Sequence, residues 1–146
     1  MDQAVLDFVG GRRIAVVGVS RSGRKFGNIA YTELEARGYQ VFAVHPEAQE
    51  ISGAPCYPNL AALQGKVDGV LVTVPPQKAA PVLREAAAAG IRNVWLQQGA
   101  ESAETVAAGR ELGLNLVTGK CILMYAQPVR GFHALHRGFV KLFGKL

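Results

Sequence analysis

The sequence is poor in cysteine, aromatic residues and long hydrophobic runs. Its 146 residues include two cysteines, one tryptophan and 8% aromatic residues. Cys56 and Cys121 have none of the spacings of a metal or dithiol motif, so we expect reduced thiols in the core or at the edge of a site. No apolar run is long enough to cross a bilayer, and Asp2 and Asp7 stand where a signal peptide would be basic. These features predict a cytoplasmic protein with no membrane partner.

The sequence also lacks a catalytic constellation. It contains no Ser/His/Asp order, no tyrosine–lysine pair of the short-chain dehydrogenase kind and no paired carboxylates at the predicted ligand site. His133 and His136 have no third ligand nearby, so no metal site is predicted. The net charge of +5 favours anionic partners, but no motif of a known nucleic-acid-binding module is present. We therefore expect a non-catalytic protein that binds a small phosphate-bearing molecule and no nucleic acid.

One stretch, from Ile14 to Gly38, predicts a buried strand, a glycine-rich turn and a helix. The strand is the apolar run Ile14–Val17, and the helix is expected from about Asn28 with Ile29 and Leu34 facing inward. A glycine-rich turn lets backbone N–H groups approach a phosphate, and the helix N-terminus adds partial positive charge. This turn is basic and longer than most strand-to-helix turns, although an ordinary turn without a ligand is the alternative. The candidate phosphate-binding residues are Gly18, Val19, Ser20, Arg21, Arg24 and Lys25.

The turn departs from the pattern of NAD-binding proteins in two ways. The dinucleotide fingerprint requires G-x-G-x-x-G, whereas the glycine that follows Gly18 is Gly23. The second predicted strand, Gln40–Val44, ends in His-Pro and has no carboxylate that could hold a ribose 2′-hydroxyl. NAD is therefore disfavoured. An NADP-dependent reductase, in which a loop arginine takes the 2′-phosphate, is the alternative.

Strand and helix patterns alternate five times along the chain. Strands are expected at Ile14–Val17, Gln40–Val44, Val67–Val74, Asn93–Leu96 and Leu114–Val117, with a loop at 47–58. This alternation predicts an α/β fold: a Rossmann-like, doubly wound parallel sheet of five strands in a single domain over residues 1–146, in the order 3-2-1-4-5. The third strand is as apolar as the first and is expected near the centre. Apolar residues at helical spacing predict a terminal helix over 131–146 that packs on the domain or across a homodimer.

Three of the predicted strand ends meet at one crevice. Ligands of open parallel sheets bind beyond the carboxyl ends of the strands, so the residues that follow the second and third strands should lie beside the glycine-rich turn. Consecutive prolines after the third strand fix a rigid turn, although they could also serve only to end the strand and begin a helix. The candidate binding residues at these two ends are Val44, His45, Pro46, Val74, Pro75, Pro76 and Gln77.

An ordered series of short motifs runs from about Arg12 to Gln127. Its members are Val17–Ser20, Gly27, Gly38-Tyr39, Val44–Pro46, Gly53, Tyr57, Leu60, Val67-Asp68, Val74–Pro76, Glu85-Ala86, Gly90, Trp95–Gly99 and Cys121. In this series the chain resembles the CoA-binding domain proteins. These are small stand-alone relatives of the N-terminal domain of the succinyl-CoA synthetase alpha subunit and of ADP-forming acyl-CoA synthetases.

The resemblance implies coenzyme A, or an acyl-CoA, as the ligand. Gly18–Ser20 would hold the phosphates, Val44–Pro46 would lie beside the adenosine moiety, and Val74–Gln77 would line the CoA groove. The synthetases often carry a lysine after the second-strand proline, where this chain has Glu47, so positive charge would have to come from the glycine-rich turn. They also need a further domain with a phosphorylated histidine, and no equivalent is recognised here. The resemblance thus implies a non-catalytic CoA-binding protein, or the CoA-binding subunit or regulator of a larger acyl-CoA enzyme.

Overall fold

The computed structural model describes residues 2–51 and 53–128, which form seven strands and four α-helices. The strands are β1 (Arg13–Val17), β2 (Gln40–Val44), β3 (Glu50–Ile51), β4 (Ala54–Tyr57), β5 (Gly69–Val72), β6 (Asn93–Gln97) and β7 (Asn115–Lys120). The helices are α1 (Gln3–Val9), α2 (Phe26–Ala36), α3 (Pro76–Ala88) and α4 (Ala103–Glu111), with 3₁₀ helices at Leu60–Leu63 and Ile122–Met124. The terminal helix predicted over 131–146 lies outside the described residues.

The strands form one sheet in the order β3-β4-β2-β1-β5-β6-β7. β3 runs antiparallel to β4, and the other neighbouring pairs are parallel. All five predicted strands are present, but the predicted count of five is wrong. β3 and β4 come from the segment predicted as a loop, because they have only two and four residues and β4 contains Pro55. Strands this short do not show the periodicity from which strands are predicted.

The predicted strand order is also wrong for one strand. The order 3-2-1-4-5 places the strand predicted at Val67–Val74 beside the second strand, at an edge of the sheet. In the structure this strand is β5, and it pairs with β1 on the side opposite β2. The short strand β4 takes the place beside β2 instead. The expectation that this apolar strand lies near the centre is confirmed, since all four residues of β5 are buried.

Helices cover both faces of the sheet. On one face α1, α2 and the second 3₁₀ helix enclose a core that includes Phe8, Leu34 and Trp95. On the other face the first 3₁₀ helix, α3 and α4 enclose a core that includes Leu60 and Leu83. Side chains alternate between the two faces along a strand, so strands buried on both faces are apolar throughout. None of the helices in the described ranges has the length and hydropathy to cross a bilayer.

Helix α2 packs on the sheet through small residues near its start. The prediction that Leu34 faces inward is confirmed, but the same prediction for Ile29 is wrong, because Ile29 is 51% exposed. The helix begins at Phe26, two residues before the predicted start, and the buried residues of its first turns are Asn28 and the two small residues Gly27 and Ala30. Their small size brings the helix backbone close to the end of β1.

The register of the central strands sets the position of the loops that follow them. Val17, the last residue of β1, is paired with Val44 of β2 on one side and Val72 of β5 on the other. Three adjacent parallel strands therefore end at the same level. The segments that begin at Gly18, His45 and Thr73 leave the sheet side by side, where the sequence predicts a ligand crevice.

Candidate functional site

Gly18 begins the turn between β1 and α2 in a conformation that favours glycine. Its φ angle is +125°, and a Cβ atom at this position would lie 1.8 Å from Oγ1 of Thr73. Thr73 is held there because its backbone N–H and its hydroxyl both donate to the carbonyl oxygen of Val17, each at 2.9 Å. Both the backbone angle and the available space require glycine. Thr73 therefore packs directly against Gly18.

Because Gly27 has no side chain, the first turn of α2 can pack against Gly18 and Thr73. A Cβ atom at Gly27 would lie 2.5 Å from the carbonyl oxygen of Gly18 and 2.9 Å from Oγ1 of Thr73. Lys25 is the N-cap of the helix and makes no side-chain capping bond, so the N–H groups of Phe26 and Gly27 have no acceptor among the described residues. Free N–H groups at a helix N-terminus carry partial positive charge and suit an anion.

Asn28 fixes the conformation of the basic turn. Its side chain is buried, and it accepts a hydrogen bond from Ser20 N at 3.0 Å and donates one to Ser20 O at 3.0 Å. The hydroxyl groups of Ser20 and Ser22 lie 2.7 Å apart, and Gly23 N donates to Ser20 O. Ser20 therefore organises the turn through its own backbone and hydroxyl groups.

A cleft of about 400 Å³, which we call the first cleft, lies where β1, β2 and β5 end. Eight of the thirteen residues predicted for the binding site line it: Gly18, Val19, Lys25, Val44, His45, Pro46, Val74 and Pro75. The structure thus brings the three predicted strand ends together around one cavity.

An adjoining cleft of about 620 Å³, the second cleft, shares four lining residues with the first. These are Lys25, Thr73, Val74 and Pro75. Pro76 lines the second cleft only. The other four predicted residues, Ser20, Arg21, Arg24 and Gln77, are not among the described residues that line either cleft.

His45 has a defined role in the turn after β2. Its Nδ1 accepts hydrogen bonds from the backbone N–H groups of Glu47 at 3.0 Å and Ala48 at 3.1 Å. A nitrogen that accepts two hydrogen bonds carries no proton, so the proton of the neutral ring is on Nε2. His45 is half-buried at the wall of the first cleft, and its Nε2–H group is left as a donor.

The charges around the first cleft come from two cations and two anions. Lys25 and Lys78 line it together with Glu47 and Glu85. Glu85 is half-buried and its Oε1 accepts a short hydrogen bond from the backbone N–H of Leu60, so this carboxylate is already engaged in the structure. The two lysines are the cations that can approach an anionic ligand from the wall.

The residues predicted for the binding site do not include four residues that shape it: Gly27, Asn28, Thr73 and Lys78. Gly27 and Asn28 could have been found from the fact that the predicted helix starts directly after a glycine. Thr73 and Lys78 gave no signal, because their importance arises from the pairing of β1 with β5 and from the start of α3 at Pro76.

Comparison with known proteins adds to this geometry. The family described as "CoA binding domain" matches residues 12–127. The ADP-forming acetate–CoA ligase I of Archaeoglobus fulgidus is 27% identical over 121 residues, and the match covers 76% of this chain but only 18% of the ligase. The chain therefore spans about a fifth of the length of this curated relative.

Solved structures of small proteins share the fold over most of their length. A conserved hypothetical protein from Pyrococcus furiosus is 37% identical with a TM-score of 0.73, and the match covers 77% of this chain and 97% of that protein. A hypothetical protein from Pyrococcus horikoshii is 27% identical with a TM-score of 0.77, and the match covers 86% of this chain and 89% of that protein.

Proposed function

Because the chain belongs to the CoA-binding domain family, we propose that it binds coenzyme A or an acyl-CoA in the first cleft. The observation that carries this proposal is the junction between Gly18 and the N-terminus of α2. There Gly18 lies directly against the first turn of α2, and the N–H groups of Phe26 and Gly27 have no acceptor among the described residues. Such a junction suits a phosphate because it offers N–H donors and partial positive charge together.

The proposed placement of the ligand follows the walls of the clefts. The phosphates lie at Gly18–Ser20 and the N-terminus of α2, with charge supplied by Lys25 and Lys78. The adenosine moiety lies beside Val44–Pro46, where His45 Nε2 is available as a donor. The pantetheine arm then passes the ridge Thr73–Pro75, which the two clefts share, and enters the second cleft. Arg21 and Arg24 contribute long-range charge from the exposed turn rather than direct contacts.

The sheet supports a Rossmann-like, doubly wound assignment for a single CoA-binding domain. Its six parallel strands, numbered along the chain, have the order 3-2-1-4-5-6. In such sheets the ligand crosses the point where the strand order reverses, which here lies between the neighbouring strands β1 and β5. Gly18 and Thr73 follow these two strands directly.

We propose that the chain by itself performs no acyl-CoA chemistry. The first cleft contains no nucleophile–base pair among the described residues, and Glu85 is engaged by a backbone N–H group. A second role, as the CoA-binding subunit or regulator of a larger acyl-CoA enzyme, is favoured by the match to a small part of a much longer ligase.

Nuclear magnetic resonance of the ¹⁵N-labelled protein tests the proposed site. Titration with CoA should shift the backbone amide signals of Gly18–Gly27 and of the segments after β2 and β5. The amides of Arg12 and Arg13, which are bonded to Asp68 at the opposite edge of the sheet, should stay unchanged and provide the internal control. Shifts confined to residues away from both clefts would disprove the placement.

A further inference from the structure

The second cleft contains a cysteine whose position is fixed by its neighbours. Cys121 is half-buried and lines this cleft with Gln97 and Phe26. The residue before it, Lys120, is bonded through its carbonyl oxygen to Trp95 Nε1 at 2.9 Å and to Gln98 N at 3.2 Å. The backbone around Cys121 is therefore anchored to β6, and the thiol is held at the wall of the cleft.

Gln97 provides a hydrogen-bond donor at this cleft. The residue is 7% exposed, and its Oε1 accepts a hydrogen bond from Ile122 N at 3.0 Å. This bond identifies the oxygen, so the remaining amide nitrogen, Nε2, is a donor, and it has no acceptor among the described residues. The Nε2 atom is not enclosed by the protein, so it can donate to a carbonyl group of a ligand in the cleft.

The pantetheine arm of CoA carries the groups that would complement this cleft, an acceptor for Gln97 Nε2 and a thiol near Cys121. It carries two amide carbonyl groups, one of which would accept from Gln97 Nε2, and it ends in a thiol. Because Thr73, Val74 and Pro75 line both clefts, an arm that leaves the phosphates at Gly18 and passes these residues runs toward Cys121. The two sulfur atoms then meet in the same cavity.

We propose that Cys121 is a modification site that forms a mixed disulfide with CoA. This inference rests on the proposed function, because it uses the same bound CoA. The ligand class is a CoA disulfide, that is, CoA joined through its sulfur to a second thiol. The protein would thus hold CoA covalently under oxidising conditions and release it when a thiol reductant is present.

The reaction is thiol–disulfide exchange and needs no further oxidant. The Cys121 thiolate attacks one sulfur of the CoA disulfide, and the Sγ–S bond forms as the original S–S bond breaks. The attacked sulfur is that of the CoA to be bound, so the electron pair of the broken bond leaves with the second thiol. That thiol departs as a thiolate and takes up the proton that Cys121 lost; in the symmetrical CoA disulfide this leaving group is a second CoA. One disulfide is consumed and one is formed, so the oxidation level is unchanged.

Cys56 is a matched control within the same chain. It lies in β4, away from the second cleft, and is half-buried. Burial raises the pKa of the Cys56 thiol, which lowers the fraction present as thiolate. Two differences would therefore favour modification of Cys121 over Cys56. Cys121 lines the second cleft, and the raised pKa of Cys56 leaves less of that residue as thiolate.

Intact-protein mass spectrometry tests the proposal. The reduced full-length chain is freed of reductant and incubated with CoA disulfide or, in parallel, with glutathione disulfide. We expect a single CoA adduct on Cys121 that forms at least about tenfold faster than the glutathione adduct, because binding raises the effective concentration of the reacting sulfur.

C56S should react like the natural chain, and C121S should form no adduct. Q97E keeps the acceptor for Ile122 N but loses the donor, so it should react more slowly.

The outcomes separate this inference from the proposed function. An adduct on Cys56, an unchanged reaction in C121S, or equal rates with the two disulfides would overturn the inference. Binding of CoA is measured independently in a reducing buffer, where no disulfide persists. CoA binding there without an adduct on Cys121 would refute the modification site and leave the proposed function standing, whereas failure to bind CoA in reducing buffer would refute the function. A far-ultraviolet circular dichroism spectrum of C121S confirms that the variant is folded.

Discussion

The backbones of Gly18 and Gly27 are packed so closely that a Cβ atom at Gly27 would lie 2.5 Å from the carbonyl oxygen of Gly18. This contact joins the end of β1 to the first turn of α2. It sets the N–H groups of Phe26 and Gly27, which have no acceptor among the described residues, beside Gly18, which lines the first cleft. The closeness of the two backbones is the basis of the phosphate site that we propose at this junction.

Gly27→Ala should therefore weaken both the fold and the binding of CoA. The added methyl group meets backbone atoms that cannot rotate away, and overpacking of this kind costs typically about 1–3 kcal/mol. We expect a loss of that size in the free energy of unfolding, measured by chemical denaturation, and a parallel loss of CoA affinity measured by calorimetry. Thr32→Ala, at an exposed position of the same helix, is the control and should change neither quantity much. Unchanged CoA affinity in Gly27→Ala would mean that the phosphates bind elsewhere.

Lys25 and Arg24 are adjacent cations with different positions, and substitutions at the two should differ in effect. Lys25 lines both clefts, whereas Arg24 is exposed and does not line either. A hydrogen bond to a charged group contributes about 1.5–3 kcal/mol, so Lys25→Met should weaken CoA binding by roughly one to two decades. Arg24→Met, the matched control, should cost much less.

Salt dependence distinguishes a direct contact from general attraction. If Lys25 pairs with a phosphate, the affinity of Lys25→Met for CoA should fall less steeply with added salt than that of the natural chain, because one fewer ion pair is screened. If Lys25→Met and Arg24→Met lost the same amount of CoA affinity, the turn would act only through its total charge.

Asn28→Ala should loosen the basic turn. It removes the partner of both Ser20 N and Ser20 O, and a buried donor or acceptor left unpaired costs about 1–3 kcal/mol. We expect a lower free energy of unfolding and weaker CoA binding. Asn59→Ala is a suitable control, since Asn59 also accepts from a backbone N–H group, that of Ala62, but caps a 3₁₀ helix outside the turn. Asn59→Ala should cost about 1 kcal/mol of stability and leave CoA affinity unchanged. A similar loss of affinity in both variants would argue against a special role for the turn.

Asp68 should make stability depend on pH without affecting the ligand. The side-chain hydrogen bond from Arg13, at 2.9 Å, lowers the pKa of Asp68, and the N–H groups of Arg12 and Arg13 act in the same direction. Because the pKa of this carboxyl group is lower in the folded chain than in the unfolded chain, its contribution is fully present above about pH 4 and is lost as the pH falls through the lowered value.

Denaturation between neutral and acidic pH tests this prediction. The natural chain should lose stability more steeply than Asp68→Asn as the pH falls below about 4. At pH 7 Asp68→Asn should be less stable and should bind CoA with unchanged affinity, because this pair lies at the opposite edge of the sheet from the first cleft. Identical pH profiles for the two proteins would contradict the assigned role of Asp68.

Local patterns were enough to predict the part of the fold that is made of long or strongly apolar elements. β1, β2 and β5 are continuous apolar runs, and each was placed within two residues of its observed start. β4 escaped prediction because a four-residue strand with a proline takes its place from pairing with β2, which is a long-range contact. The predicted strand order is wrong for the same reason, since β4 occupies the position beside β2 that the prediction gave to the strand now identified as β5.

The same distinction applies to the site. The glycine-rich turn meets the segments after Val44 and Val72 because adjacent parallel strands end at the same side of the sheet. This part of the site could be predicted from the strand pattern alone. Which cation reaches the cleft was not, because Arg21, Arg24 and Lys25 look alike in sequence, and only Lys25, as the N-cap of α2, is placed at the wall. The role of Thr73 depends on its bonds to Val17 across two strands, which no local pattern indicates.

Isothermal titration calorimetry with CoA, NADP and NAD in a reducing buffer is the most direct test of the central claim. The strand that ends at Val44 has no carboxylate at its tip, and Lys25 and Lys78 line the cleft beside it together with Glu47 and Glu85. The account predicts that CoA binds at least about tenfold more tightly than NADP, a difference of about 1.4 kcal/mol, and that NAD binds most weakly. Tighter binding of NADP than of CoA would contradict it.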